Sequence, residues 1–70
     1  MRYEEFRAAV QWYLRGHRRG ATWKEIRSDL GLPYRIPCPT WVRRLEGEID
    51  LVRSAGSKGK VWSVSRRASK

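Results

Sequence analysis

Long apolar segments are absent from this sequence, and cysteine is nearly absent. No apolar run approaches the roughly 18 residues that a membrane span requires. The single cysteine, Cys38, excludes an internal disulfide, whereas small secreted proteins usually need several. The N-terminal stretch MRYEEF has acids where a signal peptide has a basic start and an apolar run. We therefore expect an intracellular protein, cytoplasmic or nucleoid-associated.

Groups that could carry catalysis or hold a metal are also scarce. One cysteine and one histidine cannot supply the four ligands of a structural zinc site. Cys38 lies between two prolines and is expected to be a buried or half-buried apolar residue, and His17 lies in a loop without an orienting acid. Glu46 and Glu48 do not share a helix face. We expect no enzyme, no cofactor, no metal and no small-molecule ligand.

Basic residues dominate what is present. The chain of 70 residues has 16 Lys+Arg against 7 Asp+Glu, a net charge of +9 and a pI near 10.9. Residues 35–70 carry nine bases and three acids (9 − 3 = +6), and residues 1–34 carry seven bases and four acids (7 − 4 = +3). This excess favours an anionic partner, nucleic acid or a membrane surface. A hydrophobic content of 40% is sufficient for a folded domain.

Hydrophobic periodicity predicts three helices. The first, at 2–15, places one apolar set on one face and leaves Trp12 pointing away from it. The second, at about 23–30, follows a capping box made by Thr22 and Glu25. The third runs from Pro39 or Thr40 to about Ile49. The apolar set of the first helix is Tyr3, Phe6, Val10, Tyr13 and Leu14.

The third helix has two different faces. Its inward face carries Val42, Leu45 and Ile49, at spacing i, i+3, i+7. Its outward face carries two adjacent arginines flanked by small residues. That outward set is Thr40, Arg43, Arg44 and Gly47.

The C-terminal segment predicts a β-hairpin. Residues 51–53 and 61–64 are strand candidates, and the Gly- and Ser-rich stretch 54–60 is expected to be the loop between them. The approach to the second helix, Gly20-Ala21, could add a very short third strand. We expect one α+β domain at 1–65 and a basic C-terminal tail at 66–70.

This order of helix, helix, helix and hairpin resembles the winged helix-turn-helix family. The likeness rests on TWKEIRSDLGL for the second helix, TWVRRLEGEIDL for the third and LVRSAGSKGKVWSV for the wing. Asp50 replaces the glycine often found after the third helix, and the connection between helices two and three is longer and richer in proline than in that family. The resemblance implies a DNA-binding protein, a transcriptional regulator in function, with helix 40–49 in the major groove. It implies that wing 54–60 contacts the backbone or the minor groove.

Transferred by position, the resemblance implies a set of DNA contacts. Arginine suits the third helix because its planar fork can bond guanine or phosphate in bidentate fashion. Lysines in the wing suit sequence-independent contact with phosphates. The implied DNA-binding residues are Arg35, Thr40, Trp41, Arg43, Arg44, Gly47, Ser57, Lys58 and Lys60. Trp41 lies beside the inward stripe, where a half-buried position is expected.

Three other interpretations fit the same residues. An interaction module for proteins or RNA would use exposed aromatic residues, Trp12, Trp41 and Tyr34, more than the arginines. An exposed Trp12 could mark a homodimer surface or could be a lone surface aromatic. Binding of the first helix to a membrane surface fits poorly, because its polar face holds Glu4 and Glu5.

Overall fold

Three helices and a three-stranded antiparallel sheet make up this α+β protein, as a computed structural model describes it over residues 1–57 and 59–64. Lys58, the end of the expected domain and the basic tail at 66–70 lie outside the described residues. No helix of the described part is long and apolar enough to cross a membrane. The elements, in chain order, are α1 Tyr3–Arg15, β1 Ala21–Thr22, α2 Trp23–Leu30, α3 Pro39–Glu48, β2 Leu51–Gly56 and β3 Gly59–Val64.

Helix α1 buries the apolar face that its periodicity predicts. All five members of that set are buried, and Trp12 on the opposite side is exposed. The Arg2 amide at the start of the helix donates to the Glu5 carboxylate at 3.0 Å, which satisfies one of the free amides of the first turn. The helix ends at Gly16. The predicted helix 2–15 is therefore confirmed to within one residue.

Helix α2 has the ends that the sequence predicts. The Glu25 amide donates to the Thr22 hydroxyl at 3.3 Å, and the Thr22 amide donates to the Glu25 carboxylate at 2.9 Å. These reciprocal bonds are the capping box. At the other end Gly31 adopts φ +65°, the left-handed conformation that closes many helices.

The sheet has the strand order β1-β3-β2, with both pairings antiparallel. The very short third strand is thus confirmed as β1, which pairs Ala21 with Trp62. Gly20, just before it, has φ +86°, and a Cβ atom there would lie 2.7 Å from the Trp62 carbonyl oxygen. Close approach of two backbones therefore requires glycine at this position.

The predicted loop at 54–60 was too long. Strand β2 continues to Gly56 and β3 begins at Gly59, because Arg53 to Gly56 keep pairing with Trp62 to Gly59 along the ladder. Only positions 57 and 58 lie between the strands. A Cβ atom at Gly56 would lie 2.9 Å from the Gly59 carbonyl oxygen, so the tight turn requires glycine at this position. The glycines that predicted a long loop therefore allow a short one.

Aromatic rings form much of the core. Trp62 is buried and stacks on Trp23 with ring centroids 5.2 Å apart. Phe6 packs against Trp41 at 5.0 Å and Tyr34 at 6.3 Å. Such pairs stabilise a fold by about 0.5–1.5 kcal/mol beyond the area they bury. In a chain this small they link all three helices to the sheet.

Two expectations about the proline-rich connection were wrong. Tyr34 was expected as an exposed aromatic, but it is half-buried because it packs edge-on against Phe6 and Trp41. Cys38 was expected to be buried or half-buried, but it is exposed. It lies at the N-cap of α3, where its carbonyl accepts from the Val42 amide at 2.9 Å. Cys38 has an extended backbone at the junction between the connection and the helix, and its thiol is in solvent there.

Candidate functional site

Helix α3 presents a solvent-facing side that the core holds in position. Val42, Leu45 and Ile49 are all buried, as their spacing predicts. Pro39 at the first helical position suits the start of a helix, because its missing amide would have no partner there. Beyond the helix, Asp50 takes φ +53° and turns the chain into β2. The outward set of Thr40, Arg43, Arg44 and Gly47 is exposed, as expected.

Gly47 lies on this outward side in the last turn of α3, one residue before the helix ends at Glu48. A Cβ atom built there would meet nothing within 4 Å. No contact within the described residues therefore requires glycine, although glycine costs a helix about 1 kcal/mol relative to alanine. At 100° per residue, Gly47 points almost opposite to Leu45 and Ile49, so the helix backbone is uncovered where it faces solvent.

Arg44, on the α1 side of the outward face, is held by neighbours. Its Nε donates to Glu48 at 3.1 Å, one helical turn further on. Its guanidinium carbon lies 3.9 Å from the centroid of the Tyr3 ring, a cation–π contact. The same Glu48 accepts from Arg7 of α1 at 2.5 Å. One carboxylate thus ties α1 to α3 and fixes the direction of Arg44.

The acid–base behaviour of this cluster follows from its geometry. The hydrogen bond from Arg7 lowers the pKa of Glu48, and the bond from Arg44 acts in the same direction. Burial, followed by the proximity of Glu48, raises the pKa of Tyr3. The Tyr3 hydroxyl is buried and reaches no partner with good hydrogen-bond geometry. Glu48 is therefore charged at neutral pH and forms an ion pair with the guanidinium of Arg44.

Arg43, on the other side of the face, has no hydrogen bond or ion pair with any described residue. It lines a shallow groove of about 310 Å³ between α3 and β2. Arg53 of β2 lines the opposite wall, so two guanidiniums border one groove. Two prolines, Val42 and Glu46 complete the lining; the prolines are Pro37 and Pro39.

Arg53 is the residue that the sequence reasoning did not select. Its guanidinium carbon lies 5.9 Å from the centroid of the Trp62 ring, and its Nη2 is 3.8 Å from Glu46. Its Nε is buried without a partner. Strand alternation was the available signal, because Arg53 is two residues after the buried Leu51 and therefore shares its face.

The hairpin carries a further cation on the same sheet face as Arg53. Lys60 is exposed and lies two residues before Trp62, so it is on the sheet face that Arg53 and Trp62 share. Ser57 is exposed at the turn. Lys58, predicted to contact phosphate, lies outside the described residues.

The connection before α3 is anchored by a tryptophan. The Trp23 Nε1 donates to the Arg35 carbonyl at 3.1 Å, while the Arg35 side chain is exposed. Trp41 is half-buried between Tyr3 and Phe6, with ring centroids 5.6 and 5.0 Å away. The structure thus brings Thr40, Arg43, Arg44 and Gly47 onto one face and turns the Trp41 ring toward α1.

Residues 1–57 and 59–64 contain no group of three or more His, Cys, Asp or Glu side chains that could hold a metal ion. Comparisons with known proteins return no matching family model, no similar curated protein and no similar solved structure. The features that bear on function therefore lie on the surface of α3 and on the hairpin beside it.

Proposed function

We propose that this protein is a winged helix-turn-helix that binds double-stranded DNA and regulates transcription. Helix α3 enters the major groove, and the β2–β3 hairpin is the wing, in contact with the backbone or the minor groove. The order of elements supports the assignment, because α1, β1, α2 and α3 precede a hairpin whose second strand pairs with β1. The protein acts where DNA is, in the cytoplasm or nucleoid.

The observation that carries this proposal is the outward side of α3. It combines an arginine that has no partner among the described residues, a small hydroxyl residue and a bare glycine, at Arg43, Thr40 and Gly47. A free guanidinium can bond the O6 and N7 of a guanine, and each such pair contributes about 1–3 kcal/mol of discrimination. Because Gly47 has no side chain, the last turn of α3 can approach the groove floor closely.

The two flanks of the face suit different tasks. Arg44 is already oriented by Glu48 and Tyr3, so it serves best as a fixed positive point beside a phosphate. On the other flank Arg53 and Lys60 extend the positive surface along the hairpin. Together with Arg35 they form the sequence-independent part of the interface, and the affinity should fall steeply with salt.

Duplex binding by two arginine variants tests the proposal. Selection from a random duplex pool first yields a preferred site. We then expect Arg43→Ala to lower affinity for that site by about 10- to 100-fold and to relax the preference at one base pair. Arg18→Ala is the matched control, because it removes the same charge from an exposed loop beyond the far end of α1. It should change affinity far less and leave the preference intact.

Three results would overturn the proposal. One is a pool selection without any preferred duplex. Another is equal affinity of the two variants for the selected site. The third is duplex binding that persists unchanged from low to moderate salt, which would exclude phosphate contacts as the source of the affinity. Circular dichroism of each variant confirms that it is folded, so a loss of binding can be assigned to the missing guanidinium.

A further inference from the structure

The outward face of α1 is the second exposed helix surface of this protein. Trp12 on this face is 73% exposed, which is unusual for the largest apolar side chain. The residues on either side of it along the same face are also exposed. This face consists of Glu4, Glu5, Ala8, Trp12 and Arg15.

We propose that two copies of this chain associate through this face, with their α1 helices antiparallel. The charges are separated along the helix, with the acids in its first turn and Arg15 in its last. Antiparallel packing places the acidic end of each copy beside the basic end of the other, and it also opposes the two helix dipoles favourably. Parallel packing would place the acidic ends of the two copies together, and repulsion between these like charges disfavours it.

Residue spacing supports one shared two-fold axis. Glu4 and Arg15 are centred on position 9.5, and Ala8 and Trp12 are centred on position 10. At about 1.5 Å per residue these centres differ by roughly 0.75 Å along the helix, so a single axis brings both pairs together. Glu4 and Arg15 are also about three turns apart, so they lie within about 20° of each other around the helix axis. A two-fold axis keeps residues on one side of the first helix opposite residues on the same side of the second.

Trp12 and Ala8, the pair beside the two-fold axis, are complementary in size, since one side chain is large and the other is small. The Trp12 ring of one copy lies over Ala8 of the other, where a small side chain leaves room for it. Burying an aromatic ring against such a position is the usual source of binding energy in an interface, and here each copy supplies one ring. Two helices of this length bury less area than a standard stable interface, so the dimer is weak by itself.

Dimerisation leaves the proposed DNA surface open. Arg7, which contacts Glu48 of α3, lies on a different side of α1 from Trp12. Two DNA-binding surfaces in one dimer would read two half-sites, and the second contact would gain from high effective concentration. The dimer itself does not depend on DNA binding, so its test contains no DNA.

A charge exchange tests the antiparallel pairing. Glu4→Arg replaces the acid that faces Arg15 of the other copy with a base, so that like charges meet, and Arg15→Glu makes both ends of the face negative. Glu4 is chosen because Glu5 caps the helix. In sedimentation equilibrium from about 10 µM to about 1 mM, a range that covers weak interfaces, we expect the wild type to dimerise and each variant to remain monomeric. An equimolar mixture of the two variants should recover the dimer, because each end then meets its opposite charge.

The mixture distinguishes the antiparallel pairing from association through a different surface. A wild type that stays monomeric to the highest concentration overturns the proposal, as does a mixture that stays monomeric while the wild type dimerises. Trp12→Ala should weaken the dimer at least tenfold while circular dichroism shows an unchanged fold, and an unaltered dimer would contradict the central role of the ring. Failure of these tests leaves the DNA-binding proposal standing, and the reverse also holds.

Discussion

The outward faces of α1 and α3 resemble each other in pattern and differ in chemistry. Both lie opposite a buried apolar stripe, and both are fully available to solvent. The α1 face has a large exposed ring and charges of both signs at opposite ends. The α3 face has a bare glycine, a threonine and two arginines, with no apolar side chain at its centre.

That difference indicates two kinds of partner. A ring with separated charges is complementary to a second copy of itself. Small residues with guanidiniums are complementary to a groove lined by phosphates and base edges. The two faces also differ in how their charges are held, since Glu48 restrains Arg44 but nothing in the described residues restrains Arg43. Substitutions that alter one face at a time can therefore separate the two roles.

The largest effect is expected from adding a side chain at the glycine of the α3 face. Gly47→Ala should stabilise the protein by up to about 1 kcal/mol, because alanine favours a helix and the site has free space. The same change should weaken duplex binding, and Gly47→Leu should weaken it further. Thermal unfolding and duplex titration measure the two effects, which are opposite in sign.

Ser28→Leu is the control for the added side chain. Ser28 is exposed on α2, so the substitution adds an equal apolar group away from the proposed interface. It should leave duplex affinity unchanged. If Gly47→Leu binds as tightly as the wild type, close approach of α3 is wrong and the glycine reflects only a weak helix end.

A smaller effect is expected from releasing Arg44. Glu48→Gln removes a charge that competes with phosphate for this guanidinium, so duplex affinity should rise a few-fold at low salt. Thermal stability should fall slightly, because the bond from Arg7 to Glu48 weakens. Arg44→Ala should cost less affinity than Arg43→Ala. A lower affinity of Glu48→Gln would show that Arg44 must be held in place to contribute.

The smallest effect concerns pH and lies at the opposite end of α1. Burial, and then the 2.5 Å hydrogen bond to Asp29, raises the pKa of Tyr13 to about 12. Since the unfolded side chain titrates near its ordinary value of about 10, the folded state favours the protonated form. The contribution of Tyr13 to stability is therefore complete below pH 10 and is lost as the pH rises toward 12.

Urea unfolding of Tyr13→Phe across this range measures that contribution. The variant should be less stable than the wild type at neutral pH by about 1 kcal/mol, because the hydroxyl no longer donates to Asp29. The difference in the free energy of unfolding between the wild type and the variant should narrow as the pH rises above 10. A gap that is constant with pH would assign the loss to packing alone.

Much of this architecture could be predicted from local patterns. Apolar spacing placed all three helices, since each buries a stripe that repeats every three or four residues. Thr22 with Glu25 and the left-handed Gly31 fixed the ends of α2, because capping depends on neighbouring residues only. The exposed Trp12 and the outward set of α3 followed from the same helical geometry.

The parts that could not be predicted depend on contacts between distant segments. The role of Glu48 required knowledge that Arg7 lies beside it, 41 residues away in the sequence. The length of the hairpin depended on ladder pairing that outweighs the loop tendency of glycine and serine. Arg53 lines the groove because β2 lies beside α3, and Tyr34 is half-buried because its loop packs against Phe6.

Chemical-shift mapping of backbone amides during a titration with the selected duplex tests the central claim most directly. We expect the largest shifts at Thr40 to Gly47 of α3, followed by Arg53 and Lys60 of the hairpin. Ala8 and Trp12 on the α1 face should remain nearly unchanged when the duplex carries a single half-site and the protein is kept at monomeric concentrations. Shifts centred on α1, with α3 unaffected, would contradict the account.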